Sequence, residues 1–260
     1  MDQQASVGHG KLVAIGCAAG LLGGFFGVGG GIILVPLLVW VGLGRHQAHA
    51  TSLASFIIIA AAGALSFGVS GAIDVGFGVI IGVGGIVGSV VGASLMHRMS
   101  VRNLAIVFGL VLLLAALRMV SGAEPLLAST GFGTTSLVLV AVGIGLVSGL
   151  FAGLAGIGGG VVIVPAGVFL LSLDQHVAQG TSLLAIVLTA IAGSVVNLRN
   201  KRVRLNDSFI IGAGGVAGSF IGSRLALGIE GRTLSLLFGF LVLFVAIRTL
   251  YLSLREAARA

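Results

Sequence analysis

Two decapeptides decide the reading of this chain: GVGGGIILVP at Gly27–Pro36 and GIGGGVVIVP at Gly156–Pro165, 129 residues apart. The correspondence continues beyond them. One inserted residue shifts the offset to 130, which then pairs His46 with His176, Thr51 and Ser52 with Thr181 and Ser182, and Gly63 with Gly193. Further on it pairs Gly84, Gly88 and Gly92 with Gly214, Gly218 and Gly222, and Arg102 and Arg118 with Arg232 and Arg248. So many coincidences at one offset imply duplication. The chain divides into a tail (1–10), a first half (11–120), a connector (121–135), a second half (136–252) and a C-terminal tail (253–260).

The halves are too apolar for water. Hydrophobic residues make up 57% of the 260, charged ones 8%, and there are 45 glycines, which leaves too little polar surface to coat a soluble globule. Apolar segments fall near 11–27, 30–43, 47–70, 75–97 and 101–120, then near 136–156, 159–172, 176–198, 206–227 and 232–252. Segments of about 20 residues cross a ~30 Å hydrocarbon core, whereas 30–43 and 159–172 are too short to do so. The stretch after Lys11 has no convincing signal-peptide cleavage site, so it is read as part of the mature chain. The expected fold is an all-α polytopic membrane protein of two repeats, each a glycine-broken helical hairpin followed by three transmembrane helices.

The net charge of +7 is a topology signal and not a nucleic-acid footprint, because the 14 Lys and Arg are scattered at the ends of apolar runs and form only one short cluster. If each broken element is a hairpin, each half crosses an odd number of times and the second half is inverted. Lys11, Arg45, Arg98, Arg102, Arg199, Lys201, Arg202, Arg204, Arg248, Arg255 and Arg259 then share one side, and only Arg118, Arg224 and Arg232 the other. A parallel arrangement spreads the charges more evenly. Inversion with both termini cytoplasmic is therefore expected.

The Gly-rich motif lacks the Lys-Ser or Lys-Thr of a phosphate-binding loop. In a membrane, consecutive glycines break a helix, and two breaks at corresponding places in two halves point to a central substrate site. Gly29, Gly30 and Gly31, with Gly158, Gly159 and Gly160, would open short helices whose first N–H groups attract anions. Hydroxyls from Thr51, Ser52, Thr181 and Ser182 are candidate ligands, although Ser and Thr also bond back to their own helix. His46, His49 and His176 are candidates for proton or anion coupling, with Gln179 at the position matching His49. Arg224, whose repeat mate is Ser94, is a further candidate for an anion path. The Gly84 and Gly214 ladders read as packing surfaces.

All seven acids, Asp2, Asp74, Glu124, Asp174, Asp207, Glu230 and Glu256, lie at segment ends, in tails or in the connector. That argues against a cation path and favours an anionic substrate. No histidine motif suits a catalytic metal, and the single Cys17 forms no internal disulfide. An enzyme is not expected, and no cofactor or metal is called for. The expected partners are a small anion and the bilayer, with homodimerisation left open and nucleic acid excluded.

GVGGGIILVP, GIGGGVVIVP, AHATSL at Ala48–Leu53 and AQGTSL at Ala178–Leu183 give the chain its likeness. It resembles the sulfite exporter family called TauE/SafE, also described as toluene sulfonate uptake permeases. The resemblance implies a bacterial plasma-membrane carrier of sulfite or organosulfonates such as sulfoacetate, working by alternating access around the breaks. A passive anion channel, or a carrier of another small anion, would use the same features. The halves differ after the prolines, where Leu37 and Leu38 correspond to Ala166 and Gly167.

Overall fold

The computed structural model describes residues 8–95, 101–122, 133–155 and 159–257. Among them the regular structure is helical throughout. The first half contributes α1 (His9–Phe26), α2 (Gly31–Trp40), α3 (Arg45–Val69), α4 (Val75–Leu95) and α5 (Val101–Ser121). The second contributes α6 (Thr134–Ala155), α7 (Gly160–Leu170), α8 (Gln175–Arg199), α9 (Leu205–Leu227) and α10 (Gly231–Ala257). Six of these are long and apolar enough to cross a membrane: α1, α3, α6, α8, α9 and α10. α4 and α5, at 21 residues each, are also long enough at ~1.5 Å per residue. The chain is a polytopic membrane protein.

Glycine stops α1 and starts α2. Gly27 adopts φ 71° and its N–H caps the helix on the Gly23 carbonyl, and Gly29 (φ 70°) and Gly30 (φ 82°) continue in the left-handed region that side chains avoid. Gly159, at φ 72°, does the same before α7. The resulting α2 and α7 are only 10 and 11 residues long, as the short apolar segments predicted. Gly30 packs on the Ala19 carbonyl and Gly23 on Gly29 and Gly30, so α1 and α2 fold back on each other tightly.

The outer surface suits lipid. Val75, Val79, Val83 and Val87 of α4 are exposed at every fourth position, and Phe209, Val216 and Phe220 line the outside of α9. Such apolar stripes are liabilities in water and ordinary in a bilayer.

Inside, the halves interlock. Gly16, Gly20 and Gly24 of α1 sit on the backbone at Ile211, Gly215 and Ser219 of α9, so these two helices run parallel at close range. α6 does the same with α4, Gly145 meeting Ile81 and Gly149 meeting Gly85. α3 and α8 run antiparallel: Leu53 lies on Gly193 and Leu183 on Gly63. α5 and α10 are antiparallel too, with Gly109 against Leu250 and Gly239 against Met119 and Val120. Close backbone approach of this kind replaces the hydrophobic effect as the driving force between helices in lipid. The Gly84, Gly88 and Gly214, Gly218, Gly222 ladders pack on α6 and α1, the first helix of the opposite half in each case.

Candidate functional site

The two glycine breaks meet. A Cβ at Gly160, the first residue of α7, would lie 2.6 Å from the Val28 Cα and 3.0 Å from the Gly27 carbonyl oxygen. Both neighbours belong to the backbone of the first break, so only glycine permits the contact. Gly27 in turn lies on Gln179 of α8, whose Cα and Cβ would be 2.7 Å from a Cβ there. Gly29 packs on Ile186, two turns further along the same face of α8. Gly27, Val28, Gly29, Gly30, Gly31, Gly159 and Gly160 are all buried. Gly158 lies outside the described residues. Helical geometry leaves the N–H groups of Gly31, Ile32, Gly160 and Val161 without intrahelical acceptors, which gives the region a donor-rich character.

The hydroxyl candidates divide. The Asp74 N–H donates to Thr181 Oγ1 at 2.9 Å, and the Arg204 N–H to Thr51 Oγ1 at 3.2 Å. Asp74 and Arg204 are themselves mates at the 130-residue offset, and each immediately precedes the helix (α4 or α9) that its threonine helps to start. Both threonines thus tie one half to the other. Ser52 donates back to the His49 carbonyl at 2.9 Å. Ser182 is fully buried and its Oγ has no partner.

The histidines also separate. His46 is exposed. His49 is half-buried and its Nε2 is enclosed without a hydrogen-bond partner. His176 Nε2 lies 3.2 Å from the Ala226 carbonyl and 3.1 Å from that of Ile229. Two carbonyls can only accept, so this nitrogen carries the proton and caps the end of α9. Arg224 is exposed, with its guanidinium 5.2 Å from the centre of the Phe220 ring, on the outside of α9 and away from the breaks. Asp74 serves as a helix cap, its Oδ1 accepting from the Phe77 N–H at 2.9 Å.

Sequence reasoning named Gln179 only as the mate of His49. It is fully buried, and neither end of its amide has a hydrogen-bond partner. A buried unsatisfied amide costs about 1–3 kcal/mol, which makes Gln179 a candidate to face a ligand's polar atoms. Its sequence signal was weak: a polar residue two positions before TSL, at the position its mate fills with histidine.

A buried centre of paired helix breaks, with donors and few charges, is a transporter's architecture, and comparison with known proteins agrees. The family model described as "Sulfite exporter TauE/SafE" matches residues 2–119 and 140–260. The chain belongs to the TauE/SafE family. A Bacillus subtilis (strain 168) relative, named probable membrane transporter protein YunE, is 25% identical over 92% of this chain and 96% of its own length. Two Xylella fastidiosa proteins, both named probable membrane transporter protein, are 30% (strain Temecula1) and 31% (strain 9a5c) identical, each over 95% of both chains. No solved structure matches the chain. This TauE/SafE protein is a multi-pass membrane transporter, and its motif-bearing breaks fall within the two matched stretches.

Proposed function

We propose that the protein is a secondary transporter of sulfur-containing anions, sulfite or an organosulfonate such as sulfoacetate, working by alternating access around the paired breaks. The observation that carries this reading is the contact of Gly160 with Val28 and Gly27. It brings two helix N-termini from different halves to one buried place, where their dipoles favour an anion. Gly29, Gly30, Gly31, Gly159 and Gly160 supply backbone, Ser182 and Gln179 supply side chains, and His49 is the candidate coupling residue.

The two halves act as inverted repeats. Supporting this, α3 and α8 are repeat mates that run antiparallel, and so are α5 and α10. The contacts obey the sequence offset: Leu53 on Gly193 is matched by Leu183 on Gly63. Inversion combined with the Lys and Arg distribution supports the reading that both termini face the cytoplasm of a bacterial plasma membrane.

The test is flux into proteoliposomes of sulfite, sulfate, thiosulfate, sulfoacetate and an aromatic sulfonate, with and without a pH gradient. Saturable uptake with counterflow is expected for at least one sulfur anion, and Gly30→Leu should abolish it while the protein still inserts. Its Cβ would strike the Ala19 carbonyl and its φ is positive, so the break cannot keep its shape. Non-saturating flux would identify a channel, and undiminished transport by Gly30→Leu would remove the breaks from the mechanism.

A further inference from the structure

Besides the central breaks, the molecule has a cavity of about 590 Å³ where α3 ends, α8 begins and α9 turns into α10. Ser172, Asp174, Gln175, His176, Arg232 and Ser235 line it. Arg232 is anchored there, its guanidinium reaching the Met119 and Val120 carbonyls at 3.5 Å. Asp174 also lines the cavity, so the mouth carries no strong net sign and selection must fall to what lies deeper.

What lies deeper is a polar line along one face of α8. Gln175 is 6% exposed, lines the cavity, and has no hydrogen-bond partner at either end of its amide. One turn on comes Gln179, fully buried and equally unpartnered, lying against Gly27 of the first break. Ser182 follows, fully buried with a free Oγ, and then Ile186, which touches Gly29 and Gly160. Spacings of four, three and four residues keep all of them on one helical face. Three consecutive buried polar side chains without partners are costly for packing alone, since apolar residues of similar size would stabilise the same seam.

We infer that this cavity is the outward mouth of the transport path and that Gln175, Gln179 and Ser182 form a neutral relay that hands an oxyanion from it to the glycine breaks. The inference rests on the proposed transport function and adds the route. Amide N–H and hydroxyl groups donate to sulfonate oxygens without a change of protonation, and they hold them less tightly than a buried arginine would, so the anion moves on. The mouth is outward because the loops forming it are those of the arginine-poor side. The mate positions on α3, Arg45, His49 and Ser52, put basic residues at the opposite end, so the two approaches to the centre differ in chemistry.

The experiment uses the full-length protein in right-side-out vesicles, with sulfite and sulfoacetate as the probes. Gln179→Leu should raise KM about tenfold or more and Gln175→Leu about threefold, whereas Gln179→Asn, which keeps the amide, should recover part of the loss. In a Cys17→Ala background, Ser235→Cys should react with a membrane-impermeant thiol reagent from outside, and the bulky adduct should block uptake. The thiol arm stands even if a glutamine variant does not fold. Wild-type KM in both leucine variants, or normal uptake after complete labelling, would overturn the route while leaving transport intact, with Gly30→Leu still inactive. Absence of flux in the wild type would instead overturn the transport reading, and the route with it.

Discussion

Along α3 and α9, hydroxyls cross from one helix to the other. Ser55 donates to the Ser208 carbonyl and Ser208 to the Thr51 carbonyl, both at 3.2 Å, and Ser219 to the Ile59 carbonyl at 2.8 Å. Along α4 and α8, which the repeat makes their counterparts, the positions matching Ser55 and Ser208 are Ala185 and Gly78. There the glycines Gly78 and Gly82 lie under Leu184 and Leu188, and Ser89, the mate of Ser219, turns back to the Ile86 carbonyl of its own helix. Both seams bury glycine against aliphatic side chains, since Gly212 lies under Ile58 just as Gly82 lies under Leu188. The first is stitched along its length, and the second is tied only at the start of α4, where Thr181 Oγ1 takes the Asp74 N–H. A duplicated chain has kept its backbone geometry and distributed its bonds unequally: directional bonds run along one seam, and beyond the Thr181 tie the smooth one resists sliding by dispersion.

The largest expected effect comes from locking each seam in turn. A Cβ at Gly82 would lie 3.0 Å from that of Leu188, and one at Gly212 would lie 3.1 Å from that of Ile58, slightly inside the ~3.5–4.5 Å span of a disulfide. With Cys17→Ala, oxidising Gly82→Cys with Leu188→Cys should cut transport by about tenfold or more, reversibly with reductant. Gly212→Cys with Ile58→Cys should cost less than about twofold, because that seam is already fixed. Equal losses would break the comparison.

A smaller effect tests the stitches themselves. Ser208→Ala with Ser219→Ala should lower the stability of the purified protein by about 1 kcal/mol for each lost bond, read as a fall in Tm. Ser89→Ala on the other seam should cost a few tenths of that, because its bond stays within one helix. The smallest effect is expected from Arg224→Ser, which gives α9 the residue its mate Ser94 supplies to α4. Arg224 is exposed and stands over the Phe220 ring, so KM should shift by less than about twofold, and a large shift would return it to the anion path.

The same comparison explains what the sequence made legible. The breaks, the short α2 and α7 and the ten helical segments could be read because glycine runs and apolar length are local signals. The packing role of the Gly84 and Gly214 ladders was readable, but not that each ladder serves the other half's first helix, which is a long-range fact. Hydroxyls were the opaque class: Ser52 bonds its own helix, Ser55 reaches across, and Ser182 is free, yet all three are buried serines in or within one turn of the repeated TSL motif. Thr51 and Thr181 read as ligand candidates because they stand beside the breaks, and in the structure their oxygens receive backbone N–H groups from the opposite half. Gln179 gave little signal because an amide has no periodicity, and its significance lies in what it lacks, a partner.

The parallel pairing of α1 with α9 also bears on biosynthesis. Roughly 180 residues separate them, so a ribosome working at about 5–20 residues per second needs on the order of 10–35 s to deliver the partner of the first helix. Throughout that interval the face of α1 formed by Gly16, Gly20 and Gly24 waits in the bilayer without its α9 partner. Neither half can finish alone, and the nascent chain depends on lipid, or on whatever inserts it, to shelter an unfinished first helix until the ninth arrives.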